Sequence, residues 1–304
     1  MSNRLGGFAI RWYAVGGLFG GSEIVSSILK DDPRILNFIV TYAFRIKPTS
    51  PQDSGSNRMI IVITPTYKRI TRLADITRLA NTLSQVENLH WIVIEDGEST
   101  IPNVQNILER SELLYTYVAH RTASGYPARG WYQRDMALKL IRTNPSQILG
   151  EHEGEAVIYF ADDDNSYDLR LFEDYIRNVK KLGLWAVGLA GGAAVEAPNV
   201  VNKKVTSFNF KWKSKRRFAV DMAGFAINLD YILNSSAVFG TECKRGDGAP
   251  ETCLLEDLGE IYSSLYSMVF YLQKNNEILV WHTKTSYSGM KVKEAEKFGY
   301  FVEP

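Results

Sequence analysis

Three consecutive carboxylates, Asp162, Asp163 and Asp164, follow the apolar run Ala156–Ala161. Adjacent like charges repel, so such a cluster costs stability unless a cation neutralises it. Hard divalent ions take oxygen ligands, and Mg²⁺ or Mn²⁺ commonly bind through one or two carboxylates plus the phosphates of a substrate. A metal shared between Asp164 and a diphosphate would stabilise the charge that develops as the diphosphate leaves. The plainer alternative is a solvated acidic turn capping the next helix. The end of so apolar a strand, in a chain that alternates strands and helices, favours the metal.

Other candidates stand where the chain turns after other apolar runs. Asp96 follows His90–Glu95, and a carboxylate there can accept hydrogen bonds from ribose hydroxyls or a uracil ring. Tyr67 follows Met59–Thr64 and can stack on the base. Arg69, Arg129 and Arg134 can each grip a diphosphate or carboxylate in a bidentate fork. His282 and Lys284 follow Ile278–Trp281, where imidazole can donate to a phosphate and an ammonium can neutralise one. Each has an ordinary alternative: a turn aromatic, a solvated arginine, a histidine packed beside Trp281. Displacement of a diphosphate by a sugar hydroxyl would also need a base, usually a carboxylate. Glu251 sits at a loop-to-helix junction, Gly248–Thr252. It is either that base or a first-turn glutamate favoured by the helix dipole.

These residues need a scaffold that gathers strand ends. Met59–Thr64, His90–Glu95, Leu114–Ala119 and Ala156–Ala161 are apolar runs expected as buried strands, with Leu184–Leu189 another and Ile278–Trp281 a short one. Helical spacing marks Leu73–Val86, Val104–Leu114, Arg134–Arg142 and Leu169–Leu182. Alternation of this kind predicts an α/β fold with a mostly parallel sheet, whose ligands bind beyond the carboxyl ends of the strands.

With 304 residues the chain can bury a large core, and 45% hydrophobic with 23% charged residues excludes wholesale disorder. Lys+Arg at 35 against Asp+Glu at 34 gives no case for a nucleic-acid partner. Cys243 and Cys253 are too few for a structural zinc site and stand either as one disulfide or as two free thiols. Residues 1–46 form an N-terminal segment. Within it, residues 12–29 follow Arg4 and Arg11 as a candidate type II membrane anchor, diluted by Glu23, Gly and Ser. Residues 47–57, rich in Pro, Ser and Gly, read as a linker or stem, and 58–304 as the catalytic domain.

Eight stretches in order resemble the β-1,3-glucuronosyltransferases, glycosyltransferase family 43. They are ITPTYKR (63–69), HWIVIEDGE (90–98), ARGWYQRDMAL (128–138), VIYFADDDNSYDLRLFE (157–173), VGLAGG (187–192), FAVDMAGFAI (218–227), PETCLLEDL (250–258) and ILVWHTKT (278–285). The resemblance implies a GT-A-type fold, with a UDP-sugar-binding half (58–195) and an acceptor-binding half (196–304). It implies UDP-glucuronate as donor, Mn²⁺ as metal, a galactose-terminated glycan as acceptor and a β-linked, inverted product. By position, Asp164 matches the metal ligand and Glu251 the catalytic base. Tyr67, Asp96, Arg129, Arg134, Asp162 and Asp163 match donor contacts, and His282 a diphosphate contact. Glu196, Arg216 and Asp221 match the acceptor or glucuronate pocket. The family is also one of homodimeric, single-pass type II Golgi membrane proteins. Asn234-Ser235-Ser236 is a glycosylation sequon that fits a secretory setting. Lys284 stands where the family often has Arg, and Lys244–Gly248 does not align cleanly. Two other readings are a GT-A enzyme with a different UDP-sugar and a catalytically silent glycan- or nucleotide-binding relative.

Overall fold

The computed structural model describes residues 41–43, 57–201, 204–211, 216–259, 277–286, 301 and 303. All fall within the compact unit Val40–Pro304. The candidate anchor at 12–29 and nearly all of the linker lie outside the described residues. Among those described, no helix is long and apolar enough to cross a membrane.

Four parallel strands form the heart of the fold: β2 (Met59–Thr66), β3 (Leu89–Glu95), β4 (Leu114–Ala119) and β5 (Ala156–Phe160). Their sequences are nearly all apolar because both faces are covered, and among the polar exceptions His90 and Thr116 bond to each other. Successive side chains point to opposite faces. Ile60 and Val62 pack with Ile76, Leu79 and Leu83 of α1 (Arg72–Leu83) and with Val104 and Leu108 of α2 (Pro102–Arg110). Ile61 and Ile63 pack with Ala137, Leu138 and Ile141 of α3 (Trp131–Thr143). A short helix, α4 (Pro145–Leu149), follows α3.

The sheet is completed by antiparallel neighbours. β1 (Thr41–Ala43) pairs with β4, while β11 (Phe225–Asn228) pairs with β5 and with β7 (Leu182–Leu184). The strand order is β1-β4-β3-β2-β5-β11-β7. The mostly parallel α/β architecture is therefore present, with antiparallel strands at the edges.

A second, five-stranded sheet runs β10-β9-β8-β12-β6. It comprises β6 (Ser166–Tyr167), β8 (Val187–Gly188), β9 (Val195–Val201), β10 (Lys204–Asn209) and β12 (Val280–Trp281). Of its strands only β12 was expected, within Ile278–Trp281; the sheet as a whole left no pattern, because most of its strands are short or not continuously apolar. It positions the site: β6 leaves the acidic triplet, and β12, paired antiparallel with β6, ends at His282.

Two expected elements differ. Leu169–Leu182 is not one helix. It holds a π-helical turn (Leu171–Tyr175) and a 3-10 turn (Ile176–Asn178). The Arg177 guanidinium donates to the carbonyls of Arg58 and Glu87 at 2.7 and 2.6 Å, which pins the segment against strand entrances and stops helical propagation. Leu184–Leu189 is not one strand either. Trp185 bonds back to Gly224 through its amide (3.0 Å) and to Ala223 through its indole (2.7 Å), and the chain passes there from the first sheet to the second. The helix after Gly248 is present as α6 (Pro250–Asp257), and α5 (Leu229–Leu233) precedes it.

Candidate active site

The parallel register sets Thr66 of β2 beside Glu95 of β3, and Glu95 beside Ala119 of β4. Ala161, after β5, donates its amide to Ile63 at 2.9 Å. The strand ends thus form one rim, and the residues after them share it.

The three aspartates have three environments. Asp163 is buried and fully engaged, accepting from Thr66 Oγ1 at 2.8 Å and from Arg69 Nη1 and Nη2 at 3.0 and 2.7 Å. Arg69 also reaches the buried Asp75 at 2.9 Å. Its fork is thus spent within the protein, not on a diphosphate. Asp162 accepts from Arg134 Nη2. Asp164 is half-buried; its backbone carbonyl accepts from Arg78 Nη2 (2.8 Å) and Thr283 Oγ1 (2.7 Å). These bonds hold Asp164 by its backbone and leave the carboxylate without a hydrogen-bond partner among the described residues. Burial first, then Asp162 and Asp163, push that carboxyl up to about 6.

A carboxylate so destabilised by its own neighbours suits a hard divalent cation. Among the described residues there is no group of three or more His, Cys, Asp or Glu arranged to hold a metal. Asp164 therefore fits a metal only where the remaining ligands come from water and substrate phosphates, a usual arrangement for Mg²⁺.

Around this rim the donor-side candidates fall into place unequally. Tyr67 is 54% exposed, and the Arg69 guanidinium lies 4.9 Å from its ring centroid, so one aromatic face is backed and the residue remains open. Asp96 accepts from the Thr122 amide and hydroxyl, both at 2.7 Å. Thr122 was not singled out from the sequence; its place in an unpatterned loop left no signal. Arg129 is exposed, while Arg134 is buried. Arg134 also donates from Nη1 to the Arg129 carbonyl at 3.1 Å, and its buried Nε has no hydrogen-bond partner among the described residues. That donor is available to an anion. Gly130, at φ 72°, lets α3 begin here; a Cβ would press on Arg134 Nη1 at 2.8 Å.

The acceptor-side candidates converge from the other direction. His282 donates from Nδ1 to Asp221 Oδ2 at 3.0 Å, and Asp221 Oδ1 accepts from the Ala223 amide at 3.0 Å. The bond to Asp221 raises His282 to about 9 against the opposing effect of burial, helped by the charges of Asp221, Asp162 and Asp164. The packed-histidine alternative fails here, since the imidazole is half exposed. Glu196 and Arg216, both buried, pair at 3.2 Å. Gly191, at φ 55°, lies against the Glu196 carboxylate, where a Cβ would overlap it.

Glu251 occupies the first turn of α6. Burial pushes its carboxyl up to about 8; its own amide, Arg134 and Arg216 pull the other way, and Asp221 adds to the rise. Groups from both halves therefore act on this one carboxylate. Cys243 and Cys253 form a disulfide that brackets it, resolving the alternative left open by the sequence. Lys284 is exposed beyond His282, and Asn234 is exposed at the end of α5.

Comparison with known proteins supplies the remaining context. The family model for glycosyltransferase family 43 matches residues 79–286. Galactosylgalactosylxylosylprotein 3-beta-glucuronosyltransferase sqv-8 of Caenorhabditis elegans is 40% identical over 247 residues, covering 77% of this chain and 66% of that protein. The human galactosylgalactosylxylosylprotein 3-beta-glucuronosyltransferase 3 is 36% identical over 263 residues, covering 81% of this chain and 76% of its own. Its human counterpart 1 is 38% identical over 251 residues, covering 77% and 71%. Among solved structures, S. aureus TarS 1-349 superposes with a TM-score of 0.47 at 18% identity, over 74% of this chain and 60% of that one, a likeness too loose to carry weight.

Proposed function

The chain belongs to glycosyltransferase family 43, and we propose that it transfers glucuronate from UDP-glucuronate to the 3-hydroxyl of a terminal galactose with inversion. The observation that carries this reading is the convergence on Glu251. Arg134 from the donor half and Asp221 and Arg216 from the acceptor half all act on its charge, and His282 is bonded to that same Asp221.

In this reading Tyr67 and Asp96 receive the uridine, and Arg134 with Asp162 orients the sugar. Arg129 stands exposed at the mouth to meet the glucuronate carboxylate. Asp163 acts from behind, holding Arg69 and Thr66 so that the triplet keeps its shape. Asp164 is the residue to hold Mn²⁺, which when bound would neutralise the leaving diphosphate. His282 donates to the diphosphate. Glu196, Arg216 and Asp221 bind hydroxyls of the acceptor. Glu251 takes the proton from the attacking hydroxyl; a single displacement needs one base and no covalent nucleophile. A carboxyl held near 8 matches a base working at neutral to slightly alkaline pH. Homodimer formation, glycosylation at Asn234 and a type II Golgi setting belong to the same reading and rest on family resemblance.

The test is UDP release measured across UDP-glucuronate, UDP-N-acetylglucosamine and UDP-galactose with β-galactoside acceptors, with and without Mn²⁺. Turnover confined to UDP-glucuronate, galactoside and Mn²⁺ is expected. Preference for another donor would replace the reading with a different family activity, and UDP binding without turnover would make the chain a binding relative.

A further inference from the structure

We propose that Leu189 is a specificity-determining residue on the acceptor side, its exposed side chain packing against the apolar face of a pyranose ring. The proposal rests on the glycosyl-transfer reading above.

β8 and β9 form a hairpin whose loop spans residues 189–194, closed by the Leu189 amide donating to the Ala194 carbonyl at 2.8 Å. The loop needs left-handed backbone, and at Gly191 (φ 55°) and Gly192 (φ 73°) it uses glycine. At Leu189 it does not. Leu189 has φ 60°, a region that a γ-branched L-residue adopts only under steric opposition from its own Cβ. Burial in the core could offset that opposition, but Leu189 is 58% exposed, among the most exposed large apolar residues described. Neither the turn nor the core accounts for a leucine here. Strained, non-glycine backbone of this kind gathers at ligand sites.

The loop lies against the site at both ends. The His282 amide donates to the carbonyl of Gly188 at 2.8 Å, and Gly188 is packed so closely on Trp281 that a Cβ would overlap the indole. At the other end Gly191 abuts Glu196. Leu189 therefore stands on a loop fixed at His282 on one side and Glu196 on the other, and those two residues, with the Asp221 and Arg216 they pair with, are all polar or charged. A sugar is amphipathic: its hydroxyls suit those residues, and one face of a galactopyranose presents only C–H groups. An exposed aliphatic side chain supplies the complement that the charged residues cannot, and would disfavour an epimer or ring that turns hydroxyls toward it.

The test compares wild-type protein with Leu189→Ala, Leu189→Gly and Leu189→Met, measuring acceptor KM, kcat, UDP affinity and Tm. The apolar surface of one leucine corresponds to about tenfold in binding. The acceptor KM should therefore rise about tenfold in L189A and L189G, with UDP affinity unchanged, and return toward wild type in L189M. L189G should also melt higher, because its backbone is relaxed, while binding acceptor as poorly as L189A. An L189A with unchanged acceptor KM overturns the proposal. So does a rise in KM matched by loss of UDP affinity, which would mean that the loop only supports His282. A wild-type protein that transfers nothing to any galactoside overturns the activity reading and this proposal together; normal wild-type transfer beside an unaltered L189A overturns this proposal alone.

Discussion

Asp221 and His282 meet through Oδ2 and Nδ1 at 3.0 Å, across a sequence separation of 61 residues. The contact joins the residue that leads into β11 with the residue that leaves β12, and so ties one strand of each sheet to a single point. Because Asp221 also caps the Ala223 amide, it cannot swing away without losing a backbone bond. The imidazole is thereby held with Nδ1 occupied and Nε2 turned to solvent or ligand, as a protonated donor rather than a neutral one.

His282→Gln should weaken UDP binding about tenfold, since a charge-assisted hydrogen bond is worth about 1.5 kcal/mol or more. Tm should fall as well, by an amount kept small because half of the imidazole is already exposed, since the bond to Asp221 that raises its pKa is lost. Calorimetric titration with UDP in the presence of Mn²⁺ checks it; equal affinities would remove His282 from the diphosphate site.

Glu251→Gln should abolish transfer and spare UDP affinity. For the wild type, kcat/KM should rise with pH and level off above about 8, because only the ionised carboxylate accepts a proton. The stability sign is opposite. The folded carboxyl titrates near 8 and the unfolded one near 4.5, so folding binds a proton in between and stability falls as pH rises through that window. Glu251→Gln should therefore melt higher than wild type at pH 9 and equally at pH 4, the trade of stability for activity expected of a base whose ionised form the fold disfavours. A variant that still turns over at the wild-type rate would remove Glu251 as base.

The parallel core was legible because each strand is buried on both faces and therefore reads as an unbroken apolar run: Met59–Thr64 and Ala156–Ala161 are nearly the observed β2 and β5. The site residues at their ends, Tyr67, Asp96 and the triplet, were legible for the same reason. The second sheet was not. β6, β8 and β12 are two residues each, and no periodicity can be read from two residues; β12 showed only as the short apolar run Ile278–Trp281. Glu196, Arg216 and Asp221 lie on β9 or in the irregular segment before β11, so they came from resemblance alone, whereas Glu251 and His282 stood out by position and took their roles from resemblance. Local chemistry also misdirected Arg69: a guanidinium after a strand suggests a phosphate ligand, and only the fold reveals Asp163 and Asp75 already in its fork.

Asp164→Ala should make UDP affinity indifferent to Mn²⁺. Among the three aspartates, Asp162 and Asp163 already have arginine partners, so their loss should disturb Arg134 and Arg69 and lower Tm. Loss of the unpartnered Asp164 carboxylate should not lower it. UDP titrations with Mn²⁺ and with chelator, run beside melting curves for all three alanine variants, check both halves. A persisting Mn²⁺ dependence in the Asp164 variant would move the metal elsewhere.

His90 lies inside the parallel sheet, its Nδ1 at 2.7 Å from the Ile148 carbonyl and its Nε2 at 2.8 Å from Thr116 Oγ1. Burial lowers it to about 4, so the neutral ring is the folded form. Its stabilisation is complete above the unfolded value of 6.5 and is lost as pH falls toward about 4, a difference of about 3 kcal/mol. His90→Gln, which keeps a donor and an acceptor, should flatten the fall of stability between those pH values. A variant with the same acid slope as wild type would show that other groups cause it.

The Cys243–Cys253 disulfide closes a ten-residue separation around the start of α6. In the chain-entropy account a loop of this size contributes about 3 kcal/mol. Its removal should not detach the helix, because Thr252 Oγ1 still donates to the buried Phe218 carbonyl at 2.9 Å and Arg245 still pairs with Asp257 at 2.8 Å. What loosens is the turn between the two cysteines, and Glu251 is on it. A Cys243→Ser/Cys253→Ser variant should therefore show a lower Tm and a lower kcat with unchanged UDP affinity, since no residue assigned to the diphosphate lies in that loop. Equal loss of UDP affinity and kcat would mean that the bridge supports the whole domain, and an unchanged kcat would mean that Glu251 is held without it.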